Sequence, residues 1–162
     1  MKILVTGDRN WKKGSVIREV LAFIFEQQQD NKPIMLIQGG AKGVDTLAST
    51  IAQRMGPRFV SVTFPADWEK HGKKAGPIRN REMLNQLKGD EEELVLAFHD
   101  DLFKGSKGTR DCVIEAKKRG KPTILINSKG EATTLSYTGS PDYIVQRTVW
   151  LPFPEVWRRK LI

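Results

Sequence analysis

The chain has 162 residues, 39% hydrophobic and 28% charged, with a formal net charge of +8. That size and balance fit one globular domain with a real core and exclude a disordered or fibrous chain. A single cysteine excludes an intrachain disulfide or a cysteine-held zinc, two histidines argue against a histidine-rich metal centre, and no apolar run nears the roughly 18 residues of a bilayer span.

Lys2 to Thr6 is a short apolar, β-branched run that stops at Gly7, which reads as a strand entering a tight turn rather than the core of a signal peptide. Ser15 opens a helical stretch with Val16, Val20, Phe23 and Ile24 on one face, fading into Gln27-Gln28-Gln29-Asp30. Pro33 precedes a second strand, Ile34 to Ile37, stopped by Gly39-Gly40. Gly43 to Met55 is a second helix with Val44, Leu47, Ala48, Ile51 and Ala52 as its buried stripe, and Phe59 to Phe64 a third strand. Pro65 to Gly76 is a long irregular connection of the kind that often carries function. Pro77 suits the first position of a third helix reaching about Leu87. Glu93 to Phe98 is the fourth strand, Lys104 to Gly108 a loop, Thr109 to Arg119 the fourth helix and Pro122 to Ile126 the fifth strand. Beyond Asn127 the pattern weakens: Ser136 to Thr138 and Tyr143 to Trp150 suggest edge strands, and Pro154 to Leu161 a short terminal helix.

Strand and helix alternate five times, and the strands are continuous apolar runs, as expected when helices cover both faces of a sheet. The fold class is therefore α/β: a Rossmann-like, doubly wound, mainly parallel sheet of about five strands. Residues 1–126 form that domain and 127–162 are an extension expected to pack on it. Right-handed crossovers place every strand's carboxyl end on one edge, where ligands bind. The turns Thr6-Gly7-Asp8-Arg9, Gly39-Gly40-Ala41-Lys42-Gly43 and Gly105-Ser106-Lys107-Gly108-Thr109 should meet there.

Two of these turns feed helices, whose first amides and dipole attract anions, and glycine lets backbone approach an oxyanion closely. Lys42 and Lys107 could add charge and Thr109 a hydroxyl, while neither turn has the pattern of a Walker A loop or a dinucleotide fingerprint. Asp45, in the first turn of its helix, either caps exposed amides or accepts a ribose hydroxyl. Arg9 is placed to reach a phosphate, and only one of Arg79 and Arg81 should face the crevice. Asp100 and Asp101, after His99, either bind sugar, take part in acid–base chemistry or cap a turn. Cys112 reads as a buried thiol rather than a nucleophile. Trp68 either stacks on a base or packs, and Trp150 and Trp157 read as packing or oligomer contacts.

Val5-Thr6-Gly7-Asp8-Arg9, Gly39 to Asp45, Phe64-Pro65-Ala66-Asp67-Trp68, Gly76 to Met83 and Ser106 to Asp111, in this order over residues 1 to 126, resemble the YspA-type, YpsA-related branch of the SLOG superfamily. That superfamily includes LOG-type phosphoribohydrolases, DNA-processing protein A and sensor domains of conflict systems. The resemblance implies a Rossmann-like domain that binds nucleotides or nucleotide-derived ligands at the sheet edge. Gly39 to Asp45 is similar to the glycine turn of DNA-processing protein A, and Gly108-Thr109 to the phosphate turn of the LOG pattern PGGxGTxxE. Arg79 matches the arginine of the LOG RK motif, with Asn80 in place of the lysine. The LOG catalytic glutamate falls at Cys112, which puts the LOG activity in doubt; Asp111, Glu115 or Asp101 would have to stand in.

The leading expectation is a cytoplasmic binding domain, needing no cofactor or metal, that captures a nucleotide-derived small molecule. Gly7, Arg9, Gly39, Gly40, Lys42, Gly43, Asp45, Arg79, Asn80, Lys107, Gly108 and Thr109 would form the site, with phosphate on the second and third turns. The first alternative is a nucleoside-monophosphate N-glycosidase with Arg79, Asp101 and Asp111 as catalytic groups, since cleavage needs a carboxylate near the sugar. The second is single-stranded nucleic-acid binding, from the surplus of cations and from Trp68 beside Lys70, Lys73 and Lys74. No membrane partner is expected, and self-association into a homo-oligomer is.

Overall fold

In the computed structural model, residues 1–137 and 144–148 are described. The elements run β1 (Lys2–Gly7), α1 (Gly14–Gln27), β2 (Ile34–Gln38), α2 (Val44–Met55), β3 (Phe59–Thr63), α3 (Trp68–His71), a 3-10 turn (Gly72–Lys74), α4 (Ala75–Leu84), β4 (Glu93–Phe98), α5 (Leu102–Gly105), α6 (Lys107–Lys118), β5 (Thr123–Ile126), β6 (Ala132–Tyr137) and β7 (Ile144–Thr148). They build one seven-stranded sheet in the order β3-β2-β1-β4-β5-β6-β7. The first five strands pair in parallel, and β6 and β7 add antiparallel.

The chain winds outward from β1 to β3 and then crosses back to β4. The switch point thus lies between β1 and β4, whose six-residue register runs from Lys2 opposite Glu93 to Gly7 opposite Phe98. Helices α1 and α2 cover one face, where Ile17, Val20, Leu21, Val44 and Ala48 meet Ile3, Val5, Leu36 and Leu96. Helices α4 and α6 cover the other, where Met83, Leu84, Cys112 and Ala116 meet Leu4, Ile37 and Val95. Because alternate residues of each central strand enter different cores, the strands read as unbroken apolar runs.

The α/β class and the doubly wound parallel sheet are as expected, with seven strands instead of about five. Two other differences have local causes. Pro77 is the third residue of α4, not the first, because the 3-10 turn runs directly into Ala75; proline is tolerated there since first-turn amides lack helical partners. The expected loop at Lys104 contains the short helix α5, capped by Asp101, whose carboxylate accepts from the Lys104 amide at 3.2 Å. The expected terminal helix at 154–161, and Trp150 and Trp157, lie outside the described residues. Among the described residues no helix is long and apolar enough to cross a membrane.

Phe98 ends β4, is fully buried, and packs edge-on against Trp11 at 5.8 Å between ring centres. Phe98→Ala should cost about 3–5 kcal/mol through lost burial and the cavity left behind. Urea unfolding should show this as a lower midpoint with an unchanged slope.

Candidate functional site

The ends of β1 and β4 and the start of α2 are joined through the backbone of one residue. The Asp8 amide donates to the Phe98 carbonyl at 3.0 Å, and the Asp8 carbonyl accepts from the amides of Trp11 and Val44, both at 3.2 Å. Side chains would prevent this approach. A Cβ on Gly7 would lie 2.5 Å from the Phe98 oxygen and 2.5 Å from a Val44 methyl. A Cβ on Gly43 would overlap the Asp8 and Arg9 carbonyls, and Gly43 has φ +85°, ψ −121°, a conformation open only to glycine.

The first three amides of the Gly39 to Gly43 turn are closed by side chains, while those of Lys42 and Gly43 have no acceptor among the described residues. Asp45 Oδ2 accepts from the amides of Gly39 at 3.1 Å and Ala41 at 3.2 Å, and Gln38 Oε1 accepts from Gly40 at 2.6 Å. Of the two roles weighed for Asp45, the observed contacts are those of the cap. Its carboxylate is only 5% exposed. Burial raises its pKa, against the amides of Ala41 and Gly39 and the charges of Arg79 and Arg9, which pull it down. The open phosphate cradle expected at this turn is thus occupied by the protein's own carboxylate, and an anion could bind these amides only by displacing it.

Arg79 comes from α4 to the same turn. Its Nη1 donates to the Gly39 carbonyl at 2.5 Å and its Nε to Asn80 Oδ1 at 3.2 Å. A Cβ on Gly39 would overlap the guanidinium, so a side chain there would displace Arg79. Asn80 Nδ2 in turn donates to the Gly108 carbonyl at 3.2 Å and to Asp111 Oδ2 at 3.3 Å. One side-chain chain, Arg79–Asn80, therefore joins the second turn to the third.

The third turn presents open amides at the start of a helix. Ser106 caps α6, accepting from the Thr109 amide at 3.3 Å and bonding the Thr109 hydroxyl at 2.9 Å. The amides of Lys107 and Gly108, both exposed residues, have no acceptor among the described residues. Behind them His99 is 4% exposed. Its Nδ1 accepts from the Asp101 amide at 2.9 Å, and its ring lies against Gly105. Lys42 and Arg9 complete the rim as exposed cations.

The three candidate catalytic groups are all engaged. Asp101 caps α5, Asp111 accepts from Asn80, and Arg79 braces Gly39. Cys112 is fully buried and its thiol is pushed up to about 12 by desolvation and by the nearby carboxylates of Asp111 and Asp45. Residue patterns alone gave no sign of the cavity of about 210 Å³ between α3 and α4, bounded by Asp67, Lys70, His71, Arg79 and Glu82.

Comparison with known proteins agrees with the fold. The sequence model of the YspA, cpYpsA-related SLOG family (YAcAr) matches residues 1–71. The Gene 61 protein of Mycobacterium phage D29 is 37% identical over 131 residues, covering 79% of this chain and 98% of that protein. The chain belongs to the YspA, cpYpsA-related SLOG family. The solved structure of DNA processing protein A (DprA) from Streptococcus pneumoniae superimposes on this SLOG chain with a TM-score of 0.58 at 15% identity, over 77% of this chain. The chain spans 50% of the length of that structure, so the likeness is one of fold.

Asp45→Ala would strand two amides in a buried turn and should lower stability by about 2–4 kcal/mol. Asp45→Asn keeps an acceptor oxygen for both and should cost far less. Because the folded pKa of Asp45 is raised, its contribution is full below the ordinary aspartate value and is lost as pH rises through the folded one. The stability of wild type relative to Asp45→Asn should fall with rising pH across that window, as chemical denaturation at several pH values would read.

Proposed function

We propose that this SLOG chain binds a nucleotide or nucleotide-derived small molecule at the carboxyl edge of its sheet. The observation that supports this reading most is that three turns distant in sequence are linked by hydrogen bonds at the switch point, while the third presents two successive open amides at the start of a helix. In this reading the ligand's phosphate takes the amides of Lys107 and Gly108 at the start of α6, with Lys107, Lys42 and Arg9 supplying charge. The Gly39 to Gly43 turn acts as a braced wall rather than a second phosphate cradle.

The N-glycosidase alternative has less support. The position of the LOG glutamate holds a buried, protonated thiol, and Asp101 and Asp111 are committed to hydrogen bonds that hold helices. Nucleic-acid binding is the second reading. The exposed rings of Trp68 and Phe103 stand on connections at this edge, near Lys70, Lys73, Lys104 and Lys107. Retention on single-stranded DNA that falls steeply with salt would favour it over a small ligand.

A panel of nucleoside monophosphates, cyclic nucleotides and ADP-ribose tests the proposal by thermal shift. A true ligand at about one hundred times its Kd should add about 2.7 kcal/mol of stability. No shift with any of them would overturn the proposal, and release of free base from AMP would instead establish the enzyme. Lys107→Pro separates backbone from side chain. Ser106 is extended, at φ −143°, ψ 99°, so proline fits at the next position and deletes one open amide. Lys107→Pro should weaken binding about tenfold beyond Lys107→Ala, the loss of one charge-assisted hydrogen bond.

A further inference from the structure

We propose that Trp68 is the platform on which the planar base of the ligand stacks, with Arg9 holding the indole in place. This inference rests on the binding reading above and adds the group that would recognise the base. Trp68 is 50% exposed, whereas Trp11 is 6% exposed and packed in the core. A half-exposed indole leaves a large apolar face in water, which a flat aromatic guest would cover.

Its support is specific. Asp67 caps α3, accepting from the Lys70 amide through its carboxylate and from the His71 amide through its carbonyl, both at 3.0 Å. The far edge of the indole lies against Gly76, where a Cβ would sit 3.4 Å from Cη2. The Arg9 guanidinium stands 6.0 Å from the ring centre, at the outer limit of a cation–π contact. Trp68 follows β3 and Arg9 follows β1, so their pairing crosses the end of β2, where the Gly39 to Gly43 turn lies. The cavity between α3 and α4 is bounded by Asp67 and Lys70, which flank Trp68 in sequence, and by Arg79, which braces Gly39. The ring is thus held at the rim of the turn cluster, beside a polar recess.

The test is titration of wild type, Trp68→Phe and Trp68→Ala with AMP, GMP, CMP, UMP, ADP-ribose and ribose 5-phosphate. Trp68→Ala should bind the base-containing ligands about tenfold to a hundredfold more weakly, the usual cost of losing one stacking ring, and ribose 5-phosphate as wild type does. Trp68→Phe should keep most of the affinity. Indole fluorescence should be quenched by nucleotides in wild type and much less in Trp68→Phe, isolating Trp68 from the other three tryptophans. Thermal melts should show both variants folded, because the ring is half in solvent. Nucleotide binding unchanged in Trp68→Ala overturns the platform and leaves the binding reading standing. Wild type that binds none of the six overturns both. A Trp68→Ala protein that binds nucleotide normally but changes its state of association overturns the platform in favour of a contact between copies.

Discussion

The Asp8 backbone is the point on which the rest of the site depends. Its amide donates to the end of β4 and its carbonyl accepts from the start of α2, so two strand ends and a helix start are held within one hydrogen-bonding unit. Two absent side chains make this approach geometrically accessible, at Gly7 and at Gly43. Packing of α1 and α2 on one face and α4 and α6 on the other holds the strands, but it does not by itself bring their turns into contact. The contact comes from backbone meeting backbone, which only glycine permits at these distances.

Around that unit the polar groups divide into two kinds. Asp45, Gln38, Arg79, Asn80 and Ser106 satisfy amides and carbonyls of the turns themselves. Arg9, Lys42 and Lys107 are exposed cations, of which Arg9 also acts on buried Asp45 through its charge. The first group is needed because a buried turn cannot leave its amides unpaired, and Asp45 is buried at the cost of a raised pKa to meet that need. The second group is the one available to a guest.

Much of this was legible in the sequence. The five parallel strands, the four long helices and the meeting of three turns follow from apolar runs broken by glycine, because both faces of the sheet are covered. What was not legible is how the polar side chains divide. Asp45 suits a cap and a ribose contact equally well by position, and only the approach of Gly39 and Ala41 to one oxygen distinguishes them. Position alone left Arg79 and Arg81 open, resemblance to the LOG arginine singled out Arg79, and its role as a brace was not legible, since its partner lies 40 residues away. Strand β6 begins at Ala132, ahead of the expected Ser136, because an alanine–threonine stretch carries little periodicity and is recruited by pairing with β5. Helix α5 is too short for any periodic signal and exists through its cap.

The split between glycine framework and charged rim has a bearing on how such a chain can change over time. Lys42 and Lys107 sit on the surface with no side-chain partner among the described residues, so each is open to replacement without rebuilding the core. Gly7 and Gly43 admit no such freedom, because any larger residue pushes strand ends apart. A lineage can therefore change the charge of this edge one cation at a time while keeping the same scaffold.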